Sequence, residues 1–132
     1  MPVHIKSIKN FLTKEHSAFT PQRKRRNKTP ENDLKKAILS YLHFHKIPAW
    51  RINSGAVKIQ NRYIRFSVPG IADIIGVLHD GRILAVETKS AGNRLTPAQK
   101  DFLDTITRNN GVAIVAYSIN DIFGIENLCR KK

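Results

Sequence analysis

The chain is 132 residues long with a mass of 15.0 kDa, room for one domain and little more. Hydrophobic residues make up 41%, enough for one core, and 23 Lys+Arg against 10 Asp+Glu give a formal charge of +13, which points to a polyanion, most commonly nucleic acid, as partner. A single cysteine, Cys129, excludes an internal disulfide and a multi-cysteine zinc site and is compatible with a reducing compartment. No apolar run approaches the roughly 18 residues that span a bilayer, and the N-terminus lacks the apolar stretch of a secretory signal. The sequence therefore reads as a soluble, intracellular protein of cytoplasm or nucleoid, with no membrane partner.

Residues 1–28 are expected to form a basic, flexible N-terminal arm. Ile5, Ile8 and Leu12 would share one face of a short helix. From Thr20 to Lys28 there is no apolar periodicity, and Arg23, Lys24, Arg25, Arg26 and Lys28 repel one another until phosphates neutralise them. A solvated tail and a DNA-contacting arm are equally open readings. The charge is not only in this tail: residues 31–132 hold fifteen basic and nine acidic residues.

A folded domain is expected over residues 29–132. Thr29-Pro30 reads as an N-cap with proline at the first helical position. Leu34, Ala37, Ile38, Tyr41, Leu42 and His45 then follow a helical stripe that Pro48 ends. Ala49–Asn53 reads as a strand and Asn53-Ser54-Gly55 as a turn. Val57–Ile59 and Arg62–Phe66 read as short strands around Gln60-Asn61. Ile71–Leu78 suits a buried strand, and Asp80-Gly81 a tight turn into a strand over Arg82–Lys89. Thr96-Pro97 caps a helix to about Arg108, and Asn110-Gly111 ends it. Val112–Tyr117 reads as a strand and Asn120–Leu128 as a last short helix. The order predicts an α/β fold with a central mixed sheet flanked by helices.

The stretch that carries chemistry is Gly70-Ile71-Ala72-Asp73-Ile74-Ile75-Gly76 followed by Ile83-Leu84-Ala85-Val86-Glu87-Thr88-Lys89. Strand side chains alternate, so Glu87 and Lys89 share a face and Thr88 is opposite. Asp73 lies seven residues before Asp80 and Glu87 seven after it, so a hairpin centred there sets the two carboxylates side by side at its open end. Buried carboxylates so close do not both stay ionised without a cation. Their hard oxygens suit Mg²⁺ or Mn²⁺, which can activate water and hold a phosphate oxygen. Lys89 beside them can orient the attacking water or stabilise charge on the phosphate. This is a phosphodiester-cleaving arrangement; the bland alternative is an ion-pair cluster at a strand edge.

These residues resemble the virus-type replication–repair nuclease domain, VRR-NUC, within the PD-(D/E)xK superfamily of restriction-endonuclease-like folds. The resemblance covers about residues 29–122. It rests on Pro30-Glu31, on Arg51-Ile52-Asn53-Ser54-Gly55, on the two stretches above with Ser90, on Leu95-Thr96-Pro97-Ala98-Gln99-Lys100 and on Gly111-Val112-Ala113. Ala72 stands where the superfamily pattern has a proline, at a position that supplies no ligand. The resemblance implies DNA cleavage with a divalent metal. Asp73 and Glu87 would be ligands, the Thr88 backbone carbonyl would complete the site, and Lys89 would be the catalytic lysine. It further implies a phage-like homodimer, encoded in a bacterial host, that acts on branched DNA such as Holliday junctions.

Several candidates have two readings. Glu31, in the first helical turn, complements the helix dipole or joins the catalytic and metal site as the family's glutamate does. Gln99 completes a capping box with Thr96, or points into the active site as the family's glutamine does. Lys100 opposes the helix dipole in that first turn, which favours a phosphate-facing role. Lys58, Arg62 and Arg65 form a basic hairpin that would follow a duplex backbone or simply protect an edge. Arg51 and Asn53 share a strand face near the site by family analogy, and Arg94 would reach phosphate from its loop. Trp50 and Phe44 are expected in the core. His43 and His45, two apart on a helix, do not face each other and make no metal site. The competing function is a non-catalytic nucleic-acid-binding protein on the same fold. A small RNA-associated protein would explain the charge but not the carboxylates.

Overall fold

A computed structural model describes residues 30–53, 56–65 and 68–129. The basic arm and the Thr29 cap lie outside these residues, as do Ser54, Gly55 and Phe66. Helix α1 (Pro30–Phe44) is followed by β1 (Ala49–Arg51), the hairpin strands β2 (Ala56–Ile59) and β3 (Arg62–Arg65), β4 (Ile74–Val77), β5 (Ile83–Thr88), α2 (Pro97–Arg108) and β6 (Val112–Ala116). Two 3₁₀ turns close the chain, Ile119–Ile122 and Ile125–Cys129. The expected last helix is thus broken at Phe123-Gly124.

The sheet order is β1-β4-β5-β6, with the first two pairings antiparallel and β5 parallel to β6 through the α2 crossover. This is the mixed α/β architecture expected from the element order. Alternation along β5 divides the core. Leu84 and Val86 pack with Ile38, Tyr41 and Leu42 of α1 on one face. Ala85 packs with Leu103 of α2 on the other, with Ile75, Phe102 and Ile106 around them. The C-terminal turns are consumed by the first layer. Ile122 and Ile125 are buried, Ile119 and Phe123 pack against them, and the Tyr41 hydroxyl donates to Glu126 at 2.6 Å. These apolar side chains fill the core, while Leu128 at the end of the segment is exposed.

The β4–β5 connection decides the register. Gly81 N–H donates to the Leu78 carbonyl at 2.9 Å and Leu78 N–H to the Arg82 carbonyl at 2.8 Å. The loop is therefore His79-Asp80-Gly81, three residues rather than two, with Gly81 in the left-handed conformation at φ +86°. An odd loop centres the hairpin on Asp80 and pairs Ile74 with Val86 through Val77 with Ile83. The next pair outward is Asp73 with Glu87. A two-residue turn would slip the register by one and turn every side chain to the other face.

Helix α2 is fixed at both ends. Thr96 and Gln99 form a reciprocal capping box, and Pro97 opens the first turn. At the other end Asn110, at φ +65°, donates to Thr107, and Gly111 donates to the Ile106 carbonyl at 2.9 Å, a Schellman closure. Helix α2 covers β5 and β6 and leaves β1 bare. Trp50, on that edge strand, is 57% exposed, against the core position expected for it. Phe44 does pack against the core, half-buried. No helix among the described residues is long and apolar enough to cross a membrane.

Candidate active site at the end of the sheet

Asp73 sits in the bend just before β4, so strand alternation does not dictate where its side chain goes. Its Oδ2 accepts from the Thr88 N–H at 2.9 Å and the Thr88 hydroxyl at 2.7 Å. Its Oδ1 faces the Lys35 ammonium of α1 at 3.0 Å. Thr88, expected to point away, thus clamps Asp73 from the α1 side. The backbone register is as the spacing required, but the Asp73 carboxylate is held by partners on the opposite layer from Glu87.

Glu87 follows the parity of Ala85 and faces α2. It is 3% exposed. Its Oε1 accepts from Gln99 Nε2 at 2.6 Å and lies 3.5 Å from the Lys89 ammonium. Burial pushes the Glu87 carboxyl above the usual carboxylate range, and the nearby Asp73 charge pushes it further; Lys89 opposes both. A carboxylate that is costly to ionise, next to another, is the donor set that a divalent cation relieves.

Gln99 makes the capping contact and a contact with Glu87 at once. Its Oε1 accepts from the Thr96 N–H at 2.9 Å as the capping box requires, while its Nε2 donates to Glu87. The two ends of one amide tie the start of α2 to the end of β5. Gly70, at φ +76°, makes this close approach workable: a Cβ there would lie 2.3 Å from the Ala98 carbonyl carbon and 2.7 Å from the Gln99 nitrogen.

Glu31 lies in the first turn of α1, and its Oε1 accepts from both the N–H and the hydroxyl of Ser90 at 2.9 Å. These bonds hold its carboxyl below the usual range, the Ser90 N–H contributing most. Glu31 therefore anchors the chain just after Lys89. No group of three or more metal-binding side chains converges among the described residues. Two carboxylates, completed by main-chain carbonyl and water oxygens, are a donor set of the kind magnesium takes.

Arg51 donates to Asn32 at 2.9 Å, and Ile52 N–H donates to the Asp73 carbonyl at 2.8 Å, which brings Arg51 and Asn53 alongside Asp73. Lys100 is not turned to the site: its ammonium pairs with Asp104 at 2.6 Å, one helical turn on. Arg94 is exposed in the loop before α2. Lys58 and Arg62 are exposed on the β2–β3 hairpin; the Arg65 side chain, like Arg23, Lys24, Arg25, Arg26 and Lys28, lies outside the described residues. Lys35 escaped the reading of the sequence, and so did the pairing of Ser90 with Glu31. The signal for Lys35 was there, because Glu31 and Lys35 are four apart on one helix face.

A family model for the VRR-NUC domain matches residues 22–120. The chain belongs to the VRR-NUC domain family. VRR-NUC domains are of nuclease type, with DNA as substrate and divalent metal in general use. A solved structure described as a VRR_NUC domain protein aligns with 98% of this chain and 89% of its own, at 15% identity and a TM-score of 0.43. No curated protein matches the chain.

Proposed function

We propose that this VRR-NUC domain is a metal-dependent endodeoxyribonuclease that hydrolyses phosphodiester bonds in branched DNA. The observation that carries the reading is Glu87: buried, opposed to Asp73 in register, raised in pKa by both, and 3.5 Å from Lys89 on the same strand face. Asp73, Glu87 and the Thr88 carbonyl would hold Mg²⁺ or Mn²⁺. The Thr88 N–H points toward Asp73, and in an extended strand a residue's N–H and C=O point to the same edge, which supports the carbonyl's part. When bound, the ion lowers the pKa of a water and neutralises charge on the phosphate.

The side chains divide the remaining work. Lys89 orients the attacking water and offsets charge that grows on the phosphate oxygens as the water oxygen bonds to phosphorus and the ester P–O bond breaks. Gln99 fixes which Glu87 oxygen stays free for the cation. Glu31 keeps Ser90, and with it Lys89, in place. Lys35 balances Asp73 before a cation arrives. Arg51, Asn53, Lys58, Arg62, Arg65, Arg94 and the arm residues 1–28 are the phosphate contacts in this reading. Charge supports it: residues 34–72 hold seven Lys/Arg and no Asp/Glu, so the domain's positive excess lies in α1, β1 and the hairpin.

Paired cuts on a four-way junction require two such sites, hence a homodimer. Trp50, Val77 and Ile83 are exposed on the α2 side of the sheet, at positions the helix does not cover, and are the surface a second copy would use. DNA as substrate sets the cytoplasm or nucleoid as the working place. A catalytically silent DNA-binding protein draws support from one fact, that Asp73 and Glu87 each already have an ammonium partner. Labelled linear, flapped and four-way DNAs with Mg²⁺ or Mn²⁺ separate the two. Cleavage that is lost in Lys89→Ala and Asp73→Asn is expected; binding without metal-dependent cleavage would leave the silent reading. Light scattering on the four-way DNA tests the dimer.

A further inference from the structure

The β2–β3 hairpin has no counterpart in the chemistry above. It forms its own two-stranded sheet and pairs with no strand of the main sheet among the described residues. Yet both ends of the excursion that carries it meet at the active site, because the Ile52 N–H is bonded to the Asp73 carbonyl at 2.8 Å. Four-residue strands rise about 3.3 Å per residue, so the arm is about 13 Å long and is rooted beside a catalytic carboxylate.

Its composition is unusual for an exposed hairpin. Lys58 and Tyr63 are register partners and share one face, with the ammonium 5.9 Å from the ring centroid. Tyr63 is 72% exposed, so most of its ring faces solvent. Ile59 pairs with Arg62 on the other face, and Ile59 and Ile64 are both exposed there. An isolated two-stranded hairpin is marginal, and leaving a tyrosine in water on it gains nothing for folding. Lys58 lies beside the ring, Arg62 stands on the other face of the same hairpin, and the nearest acidic residues along the sequence are Asp33 and Asp73. A ring with a free face and neighbouring cations is the combination that stacks on a base while its phosphate is neutralised. Bases inside a continuous duplex offer no free face, so the arm suits unpaired bases at a branch or flap.

We infer that the β2–β3 hairpin is a base-stacking arm, with Tyr63 as the platform and Lys58 and Arg62 as phosphate contacts, that grips unpaired bases next to the cut. The inference rests on the DNA reading and names the part of the substrate that this arm takes. It explains why the arm returns to Asp73: a gripped branch point lies beside the site.

The test is binding in Ca²⁺ or EDTA, where cleavage does not intervene. One DNA is a plain duplex, and the other is the same duplex with a short single-stranded flap carrying 2-aminopurine at the branch. Wild type should quench the flap's fluorescence. Tyr63→Ala should lose the quench and bind the flapped DNA about tenfold more weakly, the order that one base stack carries, with duplex affinity unchanged. Tyr63→Phe should behave as wild type, and Lys58→Ala should weaken both DNAs. Equal losses on both DNAs for Tyr63→Ala, or none on either, overturn the inference, as does a change of oligomeric state in that variant. A wild type that binds and cleaves while Tyr63→Ala is indistinguishable from it refutes the arm alone. A wild type that binds neither DNA refutes the nuclease reading and the arm together.

Discussion

Glu87 and Tyr63 both stand on strands and have opposite surroundings. Glu87 is 3% exposed, with an amide and an ammonium on one of its oxygens; Tyr63 is 72% exposed, with one lysine near its ring. The carboxylate end needs rigidity and dryness, because a misplaced donor weakens any cation site and water screens its charge. The hairpin needs neither, because phosphate contacts work from long, solvated side chains and are lost one at a time. Under the proposed function, the contrast separates the residues assigned to the chemistry from those assigned to DNA, and it can be broken from either side.

The largest effect is expected from neutralising a carboxylate. Glu87→Gln or Asp73→Asn should lower cleavage about a thousandfold or more while the fold persists. Glu87→Gln carries a second, independent signature. Burial and Asp73 raise the Glu87 pKa, so from about pH 4.5, its ordinary value, up to its folded value, the native state holds more protons than the unfolded chain. Metal-free stability therefore falls as pH rises through that window. Glu31, whose pKa is lowered, acts in the opposite sense: it stabilises above its ordinary value, and that contribution is lost as pH falls through its folded value. In EDTA, Glu87→Gln should melt higher than wild type at pH 7 and lose the decline above pH 4.5. Added Mn²⁺ should raise the melting temperature of wild type and not of the variant. A variant that melts lower at pH 7 would show that the pair with Lys89 outweighs burial.

The register at the carboxylate end and the β2–β3 hairpin around Gln60-Asn61 were both legible in the sequence, while the directions of single side chains were not, for physical reasons. Alternation and a turn centred on Asp80 fix a register, so the pairing of Asp73 with Glu87 follows from counting. What counting cannot give is the side chain of a residue one step outside the strand, where alternation stops; hence Asp73 turned to Thr88 and Lys35. Helix α2 was bounded correctly at both ends because its caps are local chemistry. Exposure of Trp50 was missed because hydrophobicity marks a residue as suited to burial but not which helix covers which strand. That depends on α2 lying over β5 and β6. Gln99 was read as a cap or an active-site residue, and a side-chain amide has two ends for two partners.

The join between the two layers offers a smaller perturbation. Gly70→Ala adds a Cβ that would meet the Ala98 carbonyl carbon at 2.3 Å, at a φ of +76° that alanine rarely adopts. The start of α2 must then move, and Gln99 with it. A loss of about 2 kcal/mol is expected, roughly 10 °C in melting temperature, together with a fall in cleavage. Gly81→Ala is the matched control. It has a similar φ of +86° with nothing within 4 Å, so it should cost only the backbone strain and leave cleavage intact. Equal loss of cleavage in both would show that the fit of Gly70 against α2 does not matter to the site.

The smallest change asks whether the two ends of the Gln99 amide can be separated. Gln99→Ala removes both the acceptor for the Thr96 N–H and the donor to Glu87, so a loss of about 1 kcal/mol from the cap and a drop in cleavage come together and prove nothing about the site. Gln99→Glu keeps an acceptor at the third helical position, where a negative charge also suits the dipole. It removes the donor and sets a third carboxylate where a nitrogen now stands 2.6 Å from Glu87. Measured with Mg²⁺ at pH 7, this variant should keep its melting temperature within a few degrees of wild type. Its cleavage should fall about tenfold or more, because Glu87 loses the partner that fixes its free oxygen. Cleavage at the wild-type rate would show that Gln99 serves the helix alone. Its contact with Glu87 would then be a consequence of where the cap lies, and the tie between α2 and β5 would belong to the fold rather than to the chemistry.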